Sequence, residues 1–228
     1  MARIKTAVLF SGRGSNLQAL IDAAAKTDFP AEIIQVISNV PDAGGLVRAT
    51  TAGIPTKTID HRSFKRRTAF EEALNAELLD AGIELICLAG FMRLLTRTFV
   101  DRWHNRIINI HPSLLPSYKG LRTHERVLED GVRFSGCTVH FVGAELDAGP
   151  IIMQAVVPVK ADDNPAILAA RVLRAEHLCY PSALRLVAEG KARVVGSKVE
   201  LTNISTPEPI LINPEVGLPN KSGKAASP

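Results

Sequence analysis

Hydrophobic and polar positions alternate between two periods in the first half of the chain, and this alternation predicts strands followed by helices. Short apolar runs are typical of buried strands, whereas apolar residues at three- and four-residue steps are typical of helices. The predicted strands are 5–10, 32–38, 56–59, 83–89 and 106–110. The predicted helices are 17–25, 45–52, 68–79 and 93–103. This order favours right-handed crossovers and a parallel sheet, with ligands bound beyond the carboxyl ends of the strands.

The second half of the chain predicts a different arrangement. Residues 137–142 and 151–159 form two strands joined by a glycine-containing connection, and 192–201 form a small hairpin. Asn164 and Pro165 are a typical helix start, and the apolar spacing after them predicts a long helix. The fold class is therefore α/β. We expect a Rossmann-like, mostly parallel sheet with helices on both faces, C-terminal antiparallel strands and a long helix.

Length and composition indicate one domain with an appendage. The chain has 228 residues, of which 46% are hydrophobic and 22% charged, which excludes a largely disordered protein. We expect a single domain over 1–204 and a tail over 205–228, where five prolines and a polar end leave no core of their own. No apolar run approaches the roughly 18 residues that span a bilayer, and the first residues do not resemble a secretory signal. These features predict no membrane partner.

Charge and cysteine content narrow the function classes further. Lysine and arginine number 27 against 23 acidic residues, and the net charge of +4 suits small anionic substrates better than nucleic acid. The cysteines Cys87, Cys137 and Cys179 are widely spaced, without a C-x-x-C motif or a cluster of metal ligands. We expect reduced core thiols in a cytoplasmic protein, no metal and no nucleic-acid partner.

A glycine-containing loop, 11–16, follows the first predicted strand with the sequence SGRGSN. Glycines let the backbone approach a ligand, and the N-terminus of the next helix offers unpaired N–H groups to an anion. The loop predicts a phosphate cradle, or otherwise a tight turn with Ser15 or Asn16 as an ordinary N-cap. Leu17 replaces the third glycine of a dinucleotide motif, and no Gly-Lys-Ser/Thr follows. A single phosphate on a small metabolite therefore fits better than a nucleotide.

Asn109 and His111 end another predicted strand, and period-two alternation places them on the same side of it. An amide and an imidazole side by side can donate hydrogen bonds to one developing oxyanion, and a protonated imidazole is also a general acid. Asp147 lies in the connection between two later strands, and a carboxylate near His111 would favour the charged imidazole. Taken singly, His111 fits a structural histidine better than a catalytic one, and Asp147 fits a solvated turn residue better than a partner of His111. Sequence spacing alone does not show that the two meet.

Two weaker signals surround these residues. Met92, Arg93, Leu94 and Leu95 follow a buried strand and either line a pocket for a flat heterocycle or begin a helix that packs on its own core. Arg67 belongs to a basic cluster and either holds a carboxylate or phosphate or lies on a solvated helix face.

In combination these stretches resemble a known family, the phosphoribosylglycinamide formyltransferases, which are folate-dependent enzymes of purine synthesis. The matching segments are VLFSGRGSNLQAL, AGFMRLL, IINIHPSLLPSYKGLRTH and HFVGAELDAGPIIMQAVVPV, in that order, within a body from about residue 7 to residue 190. The resemblance implies that the amine of glycinamide ribonucleotide attacks the formyl carbon of the co-substrate 10-formyltetrahydrofolate. It also implies that no metal or covalent nucleophile is needed, because the N-formyl group is already activated.

The resemblance further implies roles for individual residues. Asn109 and His111 would stabilise the oxyanion, with His111 as the acid and Asp147 supporting it. The substrate-binding residues would be Gly14, Ser15, Asn16 and Glu176. The cofactor-binding residues would be Arg67, Met92, Arg93, Leu94, Leu95 and Asn109.

Three other functions remain as alternatives. A 10-formyltetrahydrofolate hydrolase shares the Asn, His and Asp arrangement but uses water, and it usually carries an N-terminal regulatory domain that we do not expect here. A methionyl-tRNA formyltransferase would need an RNA-binding domain after residue 190. A non-catalytic phosphometabolite-binding protein would need the loop 11–16 but neither His111 nor Asp147. The sequence leaves the oligomeric state open, a homodimer included.

Overall fold

A seven-stranded sheet forms the centre of the molecule, a computed structural model that describes residues 2–205 and 211–214. Its strands are β1 (Ile4–Phe10), β2 (Ala31–Ser38), β3 (Thr56–Thr58), β4 (Leu85–Leu88), β5 (Ile107–His111), β6 (Phe134–Phe141) and β7 (Ile151–Pro158). The strand order is β3-β2-β1-β4-β5-β6-β7, in which the first five pair in parallel and β6 and β7 are antiparallel. A separate hairpin pairs β8 (Ala192–Val195) with β9 (Lys198–Leu201).

Helices cover both faces of this sheet. They are α1 (Ser15–Ala24), α2 (Gly45–Thr51), α3 (Arg67–Asp80), α4 (Arg97–Arg102), α5 (Thr123–Glu129) and α6 (Pro165–Ala188). One core packs α1, α2, α5 and α6 on the sheet, and a second packs α3 and α4 on the opposite face. Successive residues of β1 alternate between them: Val8 and Phe10 face the first core, and Ala7 and Leu9 the second. This two-sided burial explains why the central strands are continuous apolar runs, and the predicted fold class is confirmed.

Two sequence-based assignments differ from the structure. The helix predicted over 93–103 begins only at Arg97, because the hydroxyl of Thr96 accepts a hydrogen bond from the backbone N–H of Phe99 and caps α4 there. The short helix α5 was not predicted at all. Its N-cap, Arg122, has a left-handed backbone and provides no side-chain cap, so the usual start signal is missing.

The predicted tail falls mostly outside the described residues, which omit 206–210 and 215–228. Within the described piece, the side chain of Asn213 donates to the carbonyl of Val159, just after β7, at 3.0 Å. Among the described helices, none has the length and apolarity needed to cross a membrane. The three cysteines are buried and free.

Candidate active site

The carboxyl ends of β4 and β5 open into a cleft of about 710 Å³. Asn109 and His111 both line it, as the period-two pattern predicts. Their strand, β5, lies inside the sheet with parallel β4 on one side and antiparallel β6 on the other. Hydrogen-bonded ladders on both sides therefore fix the backbone that presents these two side chains.

His111 is buried, and both of its ring nitrogens face oxygen atoms. Nε2 lies 2.9 Å from the carbonyl oxygen of Tyr118, and Nδ1 lies 3.4 Å from Oδ2 of Asp147. A carbonyl and a carboxylate can only accept hydrogen bonds, so the doubly protonated ring satisfies both contacts. The pairing of Asp147 with His111, which sequence spacing left open, is present in the structure.

Asp147 is held on a strained turn. Its φ angle is 47°, in the left-handed region, and its side chain is only 9% exposed. Oδ2 accepts a hydrogen bond of 2.8 Å from the backbone N–H of Gly120, in the segment before α5. Asp147 therefore connects the β6–β7 connection, the Gly120 turn and the β5 histidine at the edge of the cleft.

His140 is a site residue that sequence reasoning missed. It lies opposite Asn109 in the β5–β6 ladder and lines the same cleft. Nδ1 donates to the carbonyl of Phe141 at 2.9 Å, which leaves Nε2 as the acceptor for Nδ2 of Asn109 at 3.2 Å. Burial lowers the pKa of His140 and favours this neutral form. His140 thus orients the Asn109 amide, whose second N–H has no hydrogen-bond partner in the described part of the chain.

The segment from Met92 to Leu95 forms one wall of the cleft. Met92 is 64% exposed and Leu94 is 54% exposed, so these apolar side chains face open space. The Nε of Arg93 is buried without a hydrogen-bond partner among the described residues. Of the two interpretations of this segment, a pocket wall agrees with the structure and a helix start does not.

The 11–16 loop turns tightly at Gly14, which has a φ of 71° and is the N-cap of α1 without a side-chain cap. A Cβ atom at Gly14 would lie 2.7 Å from the Cα of Gly45, in the first turn of α2. Asn16, just inside α1, donates from Nδ2 to Oε2 of Glu176 on α6 at 2.7 Å. The Oδ1 of Asn16 is buried and has no partner among the described residues. The sequence brings two distant segments together here around an unpaired acceptor.

Alanine at Gly14 is expected to destabilise the fold more than alanine at Gly53. Both glycines have a φ of 71°, but a Cβ at Gly53 would meet nothing within 4 Å. Left-handed strain costs each variant about 1–2 kcal/mol, and overpacking against Gly45 adds about 1–3 kcal/mol at Gly14 alone. Urea unfolding of both variants measures this difference, and equal midpoints would show that the close approach of the two loops is unimportant.

Glu176 is buried on α6, and burial raises the pKa of its carboxyl although the hydrogen bond from Asn16 opposes this. One turn later on the same helix, the buried hydroxyl of Tyr180 lies 2.9 Å from the carbonyl oxygen of Leu88 and 3.1 Å from that of Ile108. This hydroxyl attaches α6 to β4 and β5 and fixes the position of Glu176 relative to the strand that presents Asn109.

Replacing Glu176 by glutamine should raise stability at neutral pH but not in acid. The pKa of this carboxyl in the folded state lies above its ordinary value of 4.5. As the pH rises from 4.5 through the folded-state pKa, the buried carboxyl becomes charged and the wild type loses stability. Glutamine keeps an acceptor oxygen for Asn16 and carries no charge, so this loss disappears. In thermal melts, the variant should exceed the wild type at about pH 8 and converge with it near pH 4.

Glu189 at the end of the same helix provides a control of opposite sign, because the neighbouring Lys191 lowers the pKa of its carboxyl. Glu189→Gln should therefore lose stability at neutral pH and converge with the wild type in acid. If the difference in melting temperature between Glu176→Gln and the wild type did not change with pH, the raised pKa of Glu176 would be contradicted.

The candidate residues thus fall into three groups. Asn109, His111, Asp147 and the segment 92–95 line one cleft. Gly14, Ser15, Asn16 and Glu176 form a second group beside α1 and α6, outside the lining of that cleft. Arg67, at the start of α3, is exposed and does not line the cleft. Within the described ranges, no group of three or more His, Cys, Asp or Glu residues is arranged to hold a metal ion.

Comparisons with known proteins show which family this chain is similar to. A family described as formyl transferase matches residues 4–184. The phosphoribosylglycinamide formyltransferase of Haemophilus influenzae is 42% identical over 204 residues, which cover 90% of this chain and 96% of that protein. The trifunctional purine biosynthetic protein adenosine-3 of Gallus gallus is 53% identical over 192 residues. That match covers 84% of this chain, which spans only about a fifth (19%) of the trifunctional protein.

A solved structure shows the same similarity in three dimensions. The glycinamide ribonucleotide transformylase 1 from Symbiobacterium toebii aligns with a TM-score of 0.85 and 46% sequence identity. The alignment covers 87% of this chain and 94% of that one.

Proposed function

The chain belongs to the formyl transferase family, and on this premise we propose that it transfers the formyl group of 10-formyltetrahydrofolate to the amine of glycinamide ribonucleotide, a step of purine biosynthesis. The observation that carries the proposal is the meeting of Asn109, His111 and Asp147 at one cleft whose other wall is apolar. The reaction needs these two surfaces side by side. The apolar wall suits the flat ring system of the N-formyl donor, and the polar residues suit the charge of the transition state.

The proposed reaction begins when the amine nitrogen bonds to the formyl carbon and the carbonyl electron pair moves to oxygen. The second N–H of Asn109 donates to this oxyanion. The positive His111 imidazole, which Asp147 supports through Nδ1, stabilises the charge on the oxygen. Collapse breaks the bond between the formyl carbon and the folate nitrogen, which gains a proton as the amine nitrogen loses one. We assign these proton transfers to His111 and Asp147, and their pairing at 3.4 Å supports the assignment.

The acceptor site of the proposal is the group beside α1 and α6. Backbone N–H groups at Gly14, Ser15 and Asn16 would bind the substrate phosphate at the helix N-terminus. Glu176 and the unpaired Oδ1 of Asn16 would accept hydrogen bonds from the glycinamide end. The tight turn at Gly14 supports this assignment, because only a glycine there lets the loop close against α2.

The donor site of the proposal is the cleft itself. The exposed side chains of Met92 and Leu94 and the partly buried Leu95 would pack on the folate ring, with Arg93 and Asn109 supplying polar contacts. Arg67 lies apart from the cleft lining, and its assigned role is with the charged end of a long donor. Free, buried cysteines are typical of a reducing compartment, so we place the reaction in the cytoplasm.

One assay tests the proposal. The purified chain is mixed with 10-formyltetrahydrofolate, with and without glycinamide ribonucleotide, and both formylated product and free formate are measured. We expect formylated ribonucleotide only when both substrates are present. Formate release without the ribonucleotide would identify a hydrolase, and binding of either ligand without turnover would identify a non-catalytic binding protein.

A further inference from the structure

The cleft wall between Phe91 and Thr96, hereafter the 91–96 loop, is attached to the body of the protein at both ends. It lies between β4 and α4 and contains no regular secondary structure. At its start, the backbone N–H of Met92 donates to Oγ of Ser11 at 2.8 Å. Ser11 in turn donates to Oδ1 of the buried Asn39, at the end of β2, at 2.6 Å. The beginning of the loop is therefore tied to two neighbouring strand ends.

At the other end, Glu71 on α3 holds Thr96. One carboxylate oxygen accepts from the backbone N–H of Thr96 at 2.7 Å, and the other accepts from its hydroxyl. Glu71 is only 5% exposed and has no cationic partner among the described residues. Its neighbour Phe70 stacks on Phe91 with ring centroids 6.5 Å apart, so α3 contacts both ends of the loop.

A carboxylate is a poor choice for stability alone at the position of Glu71. Burying a charge without a counter-ion is costly, and an apolar side chain of similar volume usually serves a core better. The hydrogen bonds that Glu71 makes both go to Thr96, the residue at which the loop ends and α4 begins. The side chain therefore determines where the loop stops.

We propose that Glu71 and Ser11 are positioning residues that hold the 91–96 loop in the shape that receives the formyl donor. This inference rests on the proposed function, because it takes the cleft beside the loop as the donor site. Without its anchors, a loop that exposes Met92 and Leu94 would fold these side chains into the cleft, since burial of apolar surface is favourable. Anchoring keeps the wall open and reduces the ordering that donor binding requires.

The two anchors have different expected signatures. The hydrogen bonds of Glu71 go to Thr96, at the end of the loop that forms the donor wall. Loss of Glu71 should therefore weaken binding of the formyl donor and leave binding of the ribonucleotide unchanged. Ser11 also begins the 11–16 loop, and its backbone N–H bonds to the carbonyl of Gly90 at 3.1 Å. Loss of the Ser11 hydroxyl should therefore weaken the binding of both substrates.

The sharpest test compares Thr96→Val with Thr96→Ser in the full chain. Valine keeps the shape but removes the hydroxyl, which both donates to Glu71 and caps α4, whereas serine retains both contacts. Asn75→Ala is the matched control: Asn75 lies one turn after Glu71, and its buried Oδ1 accepts from Nε1 of Trp103 beyond α4 at 3.0 Å, away from the loop. We expect Thr96→Val to raise the KM for 10-formyltetrahydrofolate about tenfold, with kcat and the KM for the ribonucleotide nearly unchanged. Thr96→Ser should stay near wild type.

Hydrogen exchange of the loop amides, measured without substrates, separates this inference from the proposed function. Thr96→Val should speed exchange over 91–96 more than Asn75→Ala does, whatever reaction the cleft performs. Equal exchange in the two variants would overturn the anchoring itself. Faster exchange with an unchanged donor KM in an active enzyme would overturn its role in donor binding. Absence of formyl transfer in the wild type would refute the proposed function and leave the exchange result standing.

Discussion

Asn109→Ala should lower the turnover number by about 10²- to 10³-fold, the cost of removing one donor from an oxyanion site. The effect is large because His140 holds the amide in place, at 3.2 Å, before any substrate arrives, so the donor is already oriented. The KM values should change less than the turnover number, because a donor aimed at the oxyanion acts mainly in the transition state. Steady-state kinetics with each substrate varied in turn measure this separation.

Asn75→Ala is a suitable control here too, since it removes a buried amide of the same kind that does not touch the cleft. It should retain nearly full turnover after correction for any unfolded fraction. If Asn109→Ala keeps the wild-type turnover number with an intact fold, the oxyanion role assigned to Asn109 is wrong.

Asp147→Asn is expected to lower the turnover number at least about tenfold. Complete loss of acid–base catalysis typically lowers a rate by about 10²- to 10⁴-fold. The substitution keeps the size of the side chain and an acceptor for the Gly120 N–H, which bonds to Oδ2 at 2.8 Å, so the loop is retained. It removes the negative charge 3.4 Å from Nδ1 of His111 and so weakens support for the charged imidazole. Substrate affinities should change less than turnover.

Glu145→Gln removes a charge from the same connection, two residues earlier, where the side chain is exposed. Water and salt screen the interaction of this exposed charge with the site, so the turnover of Glu145→Gln should stay near that of the wild type. Equal losses in the two variants would point to the general field of the loop rather than to the His111 pair. Wild-type turnover in Asp147→Asn would return Asp147 to the status of a turn residue.

The parts of this site that sequence reasoning reached are those set by local geometry. Period two places Asn109 and His111 on one side of a strand, and glycines after a strand indicate the tight turn at Gly14, which has a φ of 71°. The meeting of Asp147 with His111 depends instead on how the β6–β7 connection folds back, which no local pattern contains. His140 was missed for the same reason, because its role appears only once the antiparallel β5–β6 register pairs it with Asn109.

The error over 93–103 has a different origin. The apolar spacing of Met92, Leu94 and Leu95 resembles the start of a helix, but two of these side chains are exposed to the cleft rather than buried. Glu71 and Thr96 decide the boundary through a contact between residues 25 positions apart. Segments that line a ligand site tend to break local rules in this way, because their apolar residues are reserved for the ligand rather than for the core.

The hydroxyl of Tyr180, which attaches α6 to β4 and β5, has a consequence for how the two reactants find each other. Glu176 and Asn109 belong to elements joined beneath the site. If they bind the two substrates as proposed, the scaffold fixes the spacing between the amine and the formyl carbon. Such preset geometry gives a reacting pair a very high effective concentration, since little translational or rotational freedom remains to be lost. A change that lets α6 slide by a fraction of an ångström would leave each substrate bound at its usual strength and still keep the two from reacting.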